Sequence, residues 1–196
     1  MNVLDVLFNP GKFFKETEDF SIWVSLLIVA LNGVAGAYIA LSAIENIQLP
    51  SEAAMLGEVV KVFAVVSAFI STFIGWALYA GVIHIISSLL GGVGDFAKSL
   101  KVVSLGYIPA LILSPISYYV AMSAVTTMQT TMQLRSPESM VFGLAISLWQ
   151  LTIWSFGISR WRNLSTSKAL ISCAVPVVAT YLLSLIGYFM APKTFS

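Results

Sequence analysis

The chain has 196 residues, 58% of them hydrophobic and only 10% charged, and its mean hydropathy is +0.91. So few charges cannot cover the surface of a water-soluble domain of this length, and the composition is that of a polytopic membrane protein. The net charge of +1, with no basic stripe, gives no ground for a nucleic-acid partner, and the one cysteine, Cys173, excludes an intrachain disulfide or a thiolate metal cage.

The leader NPGKFFKETEDF places Asn9 as a helix cap and Pro10 at the first helical position. Phe13, Phe14, Thr17 and Phe20 gather on one side, and Lys12, Lys15, Glu16, Glu18 and Asp19 on the other, which predicts a short interfacial helix. The first long apolar run, 22–44, contains the triplet AGA at 35–37, but acidic rather than basic residues flank it, unlike a cleaved signal peptide. It carries Asn32 near its middle and a small-residue pair, Gly36 and Ala40. A loop over 45–61 with Glu45, Glu52 and Glu58 leads to a second run, 62–90. That run is long enough to tilt, and it holds a stripe of Ser67, Ser71 and Gly75 suited to close helix packing. His84 lies near its end; a proton relay or a metal ligand is conceivable there, but with no second histidine it reads as a structural hydrogen-bonding residue.

Residues 94–112, GDFAKSLKVVSLGYIPALI, pass from a turn into apolar sequence. Phe96, Leu100, Val103 and Tyr107 fall on one helical face, opposite Lys98, Lys101 and Ser104. Asp95 is placed to cap the start, and Gly106 and Pro109 to end it. Two readings stay open: a second interfacial helix with a break near Tyr107–Ile108, or one tilted, proline-kinked helix. A third run, 109–127, follows, with Met122, Met128 and Met132 around its far end as apolar filling. The fourth run, 140–158, holds Gln150, and the tryptophans Trp23, Trp149, Trp154 and Trp161 sit where interfacial anchors are expected. The sequence GISR at 157–160 matches part of an intramembrane serine protease pattern, but the one histidine precedes it, so no nucleophile–base pair is expected. The fifth run is 169–190.

Together these predict an all-α fold of five transmembrane helices and two short cytoplasmic interfacial helices, in one domain over 1–196. Lys12, Lys15, Lys98, Lys101, Arg160, Arg162 and Lys168 fall on one side, and Lys61, Arg135 and Lys193 on the other. That bias predicts a cell-membrane protein with its N-terminus in the cytoplasm and its C-terminus outside. Lys101 precedes Pro109 by the same eight positions that separate Lys168 from Pro176, a spacing that a parallel repeat would produce.

The chain resembles the Yip family of membrane proteins, named for interaction with Ypt/Rab GTPases. The likeness rests on the leader NPGKFFKE, the block GDFAKSLKVVSLGYIPALI with its Gly-Tyr…Pro entry, the tryptophan and glycine of WQLTIWSFG, and STSKA leading into AVPVVATYLLSLIG. It implies a non-enzymatic multi-spanning protein in which Gly106, Tyr107 and Pro109 are structural or interaction residues. The long N-terminal region and the Asp-Leu-Tyr-Gly-Pro motif of eukaryotic members are absent, which points to a prokaryotic member and puts a Rab-type GTPase partner in doubt. No catalytic, cofactor-binding or metal-ligating residues are expected. The expected role is a scaffold or binding element, with the bilayer, another membrane protein or a second copy as partner, and Phe96, Lys98, Lys101, Gly106, Tyr107 and Pro109 as its candidate residues. The alternative is an oligomeric transporter or channel subunit using the intramembrane polar residues Asn32, His84 and Gln150.

Overall fold

A computed structural model describes residues 3–47, 54–131 and 137–190, which are helical with no strand among them. Met132 and Arg135 lie outside the described residues, as do Glu52 and Lys193 and the side chain of Met128. The helices are α1 (Val3–Phe8), α2 (Pro10–Glu16), α3 (Ile22–Glu45), α4 (Ala54–Leu89), α5 (Phe96–Leu105), α6 (Tyr107–Ile112), α7 (Ser114–Thr131), α8 (Pro137–Trp161) and α9 (Thr166–Met190). Four of them are long and apolar enough to cross a membrane: α3, α4 over Gly57–Leu89, α8, and α9 over Thr166–Ile186. The pair Phe96–Ile112 and Ser114–Thr127, bent by 68°, makes a fifth crossing if counted as one broken span. The chain is an all-α polytopic membrane protein.

The short N-terminal helices are anchored to protein along their length. Asn9 caps α2 by accepting from the backbone N–H of Lys12, with Pro10 at the first position. Their apolar face then packs along α8. Trp149 donates its indole N–H to the Leu7 carbonyl at 2.9 Å, and Trp161 donates to Thr17 at 2.9 Å. Those tryptophans are twelve residues apart on one helix, about 18 Å. So α1 and α2 run beside α8 rather than across its end, and Phe13 and Phe14 are buried there.

The block 94–112 is likewise packed inside the bundle. Against α4, α5 descends from His84, beside Ser99, to Trp76, which donates to the Leu100 carbonyl at 2.8 Å. Against α8 it descends from Arg162 to Trp154, which donates to the Val103 carbonyl at 3.0 Å. The five residues Val102, Val103, Ser104, Leu105 and Gly106 are all buried. Ser104 bonds the Ser25 hydroxyl of α3 at 2.9 Å instead of facing water. The amphipathic pattern is thus met by protein on both faces. The chain pauses at Gly106 and continues as α6, and the sharp bend comes later, at Leu113. The expected break at Tyr107–Ile108 is therefore displaced. Pro109 falls in the first turn of α6, where a missing N–H costs little; Pro115, just after the bend, leaves the Leu111 carbonyl without its helical donor and crowds it.

Two packing expectations also change. Gly36 has open space around it, whereas Gly33 lies under the Phe69 ring and its backbone, so Gly33 is the close-approach point of α3 and α4. Ser67 and Ser71 face outward and bond carbonyls of their own helix, Ala64 and Ala68. The two halves of the expected repeat differ in form, because α9 continues through Pro176 as one helix while the equivalent segment breaks at Leu113.

Candidate functional site

One end of the bundle gathers the start of α3, the end of α4, α5, the end of α8 and the start of α9. The residue that joins them is Arg162. The α8 helix ends at Trp161, and Asn163 takes a left-handed conformation (φ 54°), which Asn tolerates better than most residues. Arg162 is fully buried. Its Nη2 donates to the Ser88 hydroxyl at 2.6 Å, and its Nη1 reaches the Ser99 hydroxyl at 3.2 Å and the Asp95 carbonyl at 3.4 Å. Nη1 also meets His84 Nδ1. A guanidinium can only donate, so His84 accepts there and is neutral, with its proton on Nε2. Arg162 Nε is buried without a partner. Burial pushes the guanidinium below its ordinary range and the nearby Asp95 opposes that, but an arginine stays charged.

Backbone bonds reinforce this clasp. Val93 N–H donates to the Arg162 carbonyl at 2.9 Å, Lys168 Nζ donates to the Leu90 carbonyl at 2.9 Å, and Gly92 N–H donates to the Ser87 carbonyl at 2.8 Å. The α4–α5 turn and the α8–α9 turn are thereby tied together. Asp95 caps α5 through Lys98 N–H at 3.0 Å, as its position predicts.

The candidate residues divide by what they touch. Phe96 stands edge-on to the His84 ring at 5.5 Å and is 41% exposed. Lys98 is half-buried, its chain lying over Gly94. Lys101 is largely enclosed and pairs with Asp19 at 2.7 Å, clasping the α2–α3 linker to α5. The hydrogen bond from Lys101 holds the Asp19 carboxyl below its usual range. A Cβ on Gly106 would lie 2.0 Å from Trp154 Nε1, so the glycine is what lets that indole lie across the helix and reach Val103. Tyr107 lies against α4 near Gly75, and Pro109 is fully buried. Asn32 donates to the Ile28 carbonyl of its own helix at 2.9 Å, and Gln150 is half-buried in α8. Among the described residues, no hydrogen bond joins Asn32, His84 and Gln150, and no group of three His, Cys, Asp or Glu is arranged to hold a metal ion.

The sequence pattern treats Arg162 as one loop charge among several, yet Trp154, Ile158 and Arg162 recur every four residues and line one buried face that continues just past the end of α8. The tryptophans also differ from expectation. Of five, only Trp23 is strongly exposed. Trp76, Trp149, Trp154 and Trp161 donate to backbone carbonyls of other segments. The carbonyls of Leu7, Thr17 and Val103 lie at the ends of short helices, where intrahelical donors run out. An indole N–H in a span needs such an acceptor, and that need was the available signal.

Residues 4–188 match the Yip1 domain family. The chain belongs to that family. An uncharacterised protein of the archaeon Methanocaldococcus jannaschii is 35% identical over 128 residues, covering 61% of this chain and 90% of that one. This agrees with a prokaryotic member. No solved structure matches. The segments that carried the resemblance are neighbours in space: Phe14 of the leader and Val102 of α5 close on Gly157 of WSFG, Trp154 crosses Gly106, and Lys168 of STSKA holds the turn before α5.

Proposed function

We propose that this protein is a non-enzymatic scaffold or binding element of the cell membrane, working as one Yip-like domain over residues 1–196. Its N-terminus faces the cytoplasm and its C-terminus the outside, as the basic-residue bias favours. The Arg162 end is then cytoplasmic, and it presents Phe96, Lys98, Lys15 and Arg160 to a membrane protein or to lipid headgroups. Lys101, Gly106, Tyr107 and Pro109 build that end and hold its shape.

The observation that carries this reading is that the buried polar groups turn onto the protein itself. The two Nη atoms of Arg162 meet His84, Ser88, Ser99 and a backbone carbonyl, with Nε alone left over, and Asn32 bonds its own helix. Groups so committed suit a rigid platform better than a translocation path, which is why a transporter through Asn32, His84 and Gln150 is the weaker reading. Yip proteins are a membrane-traffic family, which agrees with a binding role.

A photo-cross-linking amino acid at Lys98 or Phe96, activated in native membranes, tests it. A discrete protein or phospholipid adduct at these positions, absent when the same group replaces the outward-facing Ile70, is the expected result. Equal labelling at all three positions, together with solute flux in liposomes that Gln150→Ala abolishes, would replace the scaffold with a transporter.

A further inference from the structure

We propose that His84 is a proton-operated latch between the α4–α5 turn and the α8–α9 turn. The geometry is specific to this histidine. Its Nδ1 lone pair faces Arg162 Nη1 and lies 3.3 Å from the Ser99 hydroxyl, itself a partner of Arg162. Its own carbonyl accepts from Ser88 Oγ at 2.7 Å, and Ser88 Oγ in turn accepts from Arg162 Nη2 at 2.6 Å. One imidazole therefore sits at the centre of contacts from α4, α5 and the residue that follows α8.

The ionisable groups facing His84 are Arg162 from the α8–α9 turn and Asp95 from the start of α5. The other side chains against it are Ser99 and Phe96 of α5 and Ser87 and Ser88 of its own helix. With neutral His84, Arg162 has an acceptor. When a proton adds to Nδ1, that acceptor becomes a donor and the ring becomes a cation beside a buried guanidinium. Both changes repel Arg162, and the remaining partners, Ser88, Ser99 and the Asp95 carbonyl, are neutral. The Asp95 carboxylate gives the displaced charge somewhere to turn, toward the start of α5 and away from α4. His84 is half-buried near the end of α4, so protons reach it without crossing the bundle. The latch adds a side-chain tie between the two turns while the ring is neutral and withdraws it once the ring is protonated, leaving the Val93–Arg162 backbone bond and the Lys168–Leu90 bond as the links that must stretch for the turns to part.

The chain has a single histidine, so 15N-histidine labelling reports on His84 alone. The whole protein in nanodiscs, with Cys173→Ala and spin labels at Leu89→Cys and Ser167→Cys, gives the distance between the turns. Near neutral pH the imidazole spectrum should show Nδ1 without a proton and a single label distance. As pH is lowered, a second, longer distance should grow in step with the imidazole titration. In His84→Asn, whose Oδ1 takes the place of Nδ1 as a non-titrating acceptor for Arg162, the short distance should persist throughout. A constant distance in the native-histidine protein while its imidazole titrates would overturn the latch, as would an acid-induced change that survives in His84→Asn. The first of these needs no histidine variant, so poor folding of the asparagine form leaves the test intact.

Discussion

At the Arg162 end, Trp154, Ile158, Arg162, Val102 and Val103 are sealed from their surroundings, whereas the first half of α4 turns Val59, Val62, Phe63 and Ile70 outward. The first region is built as a soluble core is built, with Phe14 standing edge-on to Trp161, hydrogen-bonded serines and a buried cation. The second reads as a membrane helix whose neighbour is lipid. Apolar side chains gain little from leaving lipid for protein, so packing and hydrogen bonds, rather than the hydrophobic effect, must hold the spans together. The Arg162 end has more of both than the outward face of the first half of α4. That end should respond sharply to substitution and the other should not.

The largest expected contrast uses two glycines. Gly106→Ala drives a methyl into Trp154 and removes the indole from the Val103 carbonyl. Overpacking and an orphaned buried donor together should cost about 4 kcal/mol, read as stability in a steric-trapping assay in bilayers. Gly36→Ala meets nothing within 4 Å and should be neutral or stabilising by up to about 1 kcal/mol through helix propensity. Similar losses at both positions would erase the distinction between the regions.

Two arginines two residues apart make the next test. Arg162→Met keeps much of the side-chain volume but leaves Ser88, Ser99 and His84 short of a donor, offset by relief of a buried charge. A loss of about 2 kcal/mol is expected, with proteolysis of the α4–α5 turn appearing under native conditions. Arg160 is exposed, and Arg160→Met should change stability by no more than about 0.5 kcal/mol. If the two behave alike, the clasp does not tie the turns.

The same contrast explains what was legible in the sequence. The long spans α3, α4, α8 and α9 announce themselves by length and hydropathy, and the caps Asn9 and Asp95 by residue type and position. Those signals are local. The face of α5 was legible as amphipathic but not its neighbour, because Ser104 and Lys101 are polar whether they meet water or meet Ser25 and Asp19. Arg162 was hidden for the same reason: a charge just past a span end belongs on the surface unless another segment brings the acceptors, and Ser88 and Ser99 lie 74 and 63 positions away. Pro115 carried a readable break signal, yet Gly106 and Pro109 nearby offered a competing one.

The smallest expected effect separates the latch from ordinary acid sensitivity. Asp19 is held below its usual range chiefly by its hydrogen bond from Lys101. A carboxyl whose folded pKa is depressed contributes stability that is complete above its unfolded value, near about 4, and is lost only as pH falls through the lower folded value. The Asp19–Lys101 clasp is therefore intact at about pH 5 and cannot open the turns there. Because the Asp19 side chain is 56% exposed, its contribution should be no more than about 1 kcal/mol, and Asp19→Asn should remove it evenly at all pH values above about 4. Stability measured against pH in the native and Asp19→Asn proteins should then give parallel curves down to about pH 4, converging below it. Curves that converge already between about pH 8 and about pH 5 would transfer the acid response from His84 to Asp19, and the clasp at the α2–α3 linker would become the titrating element of this end.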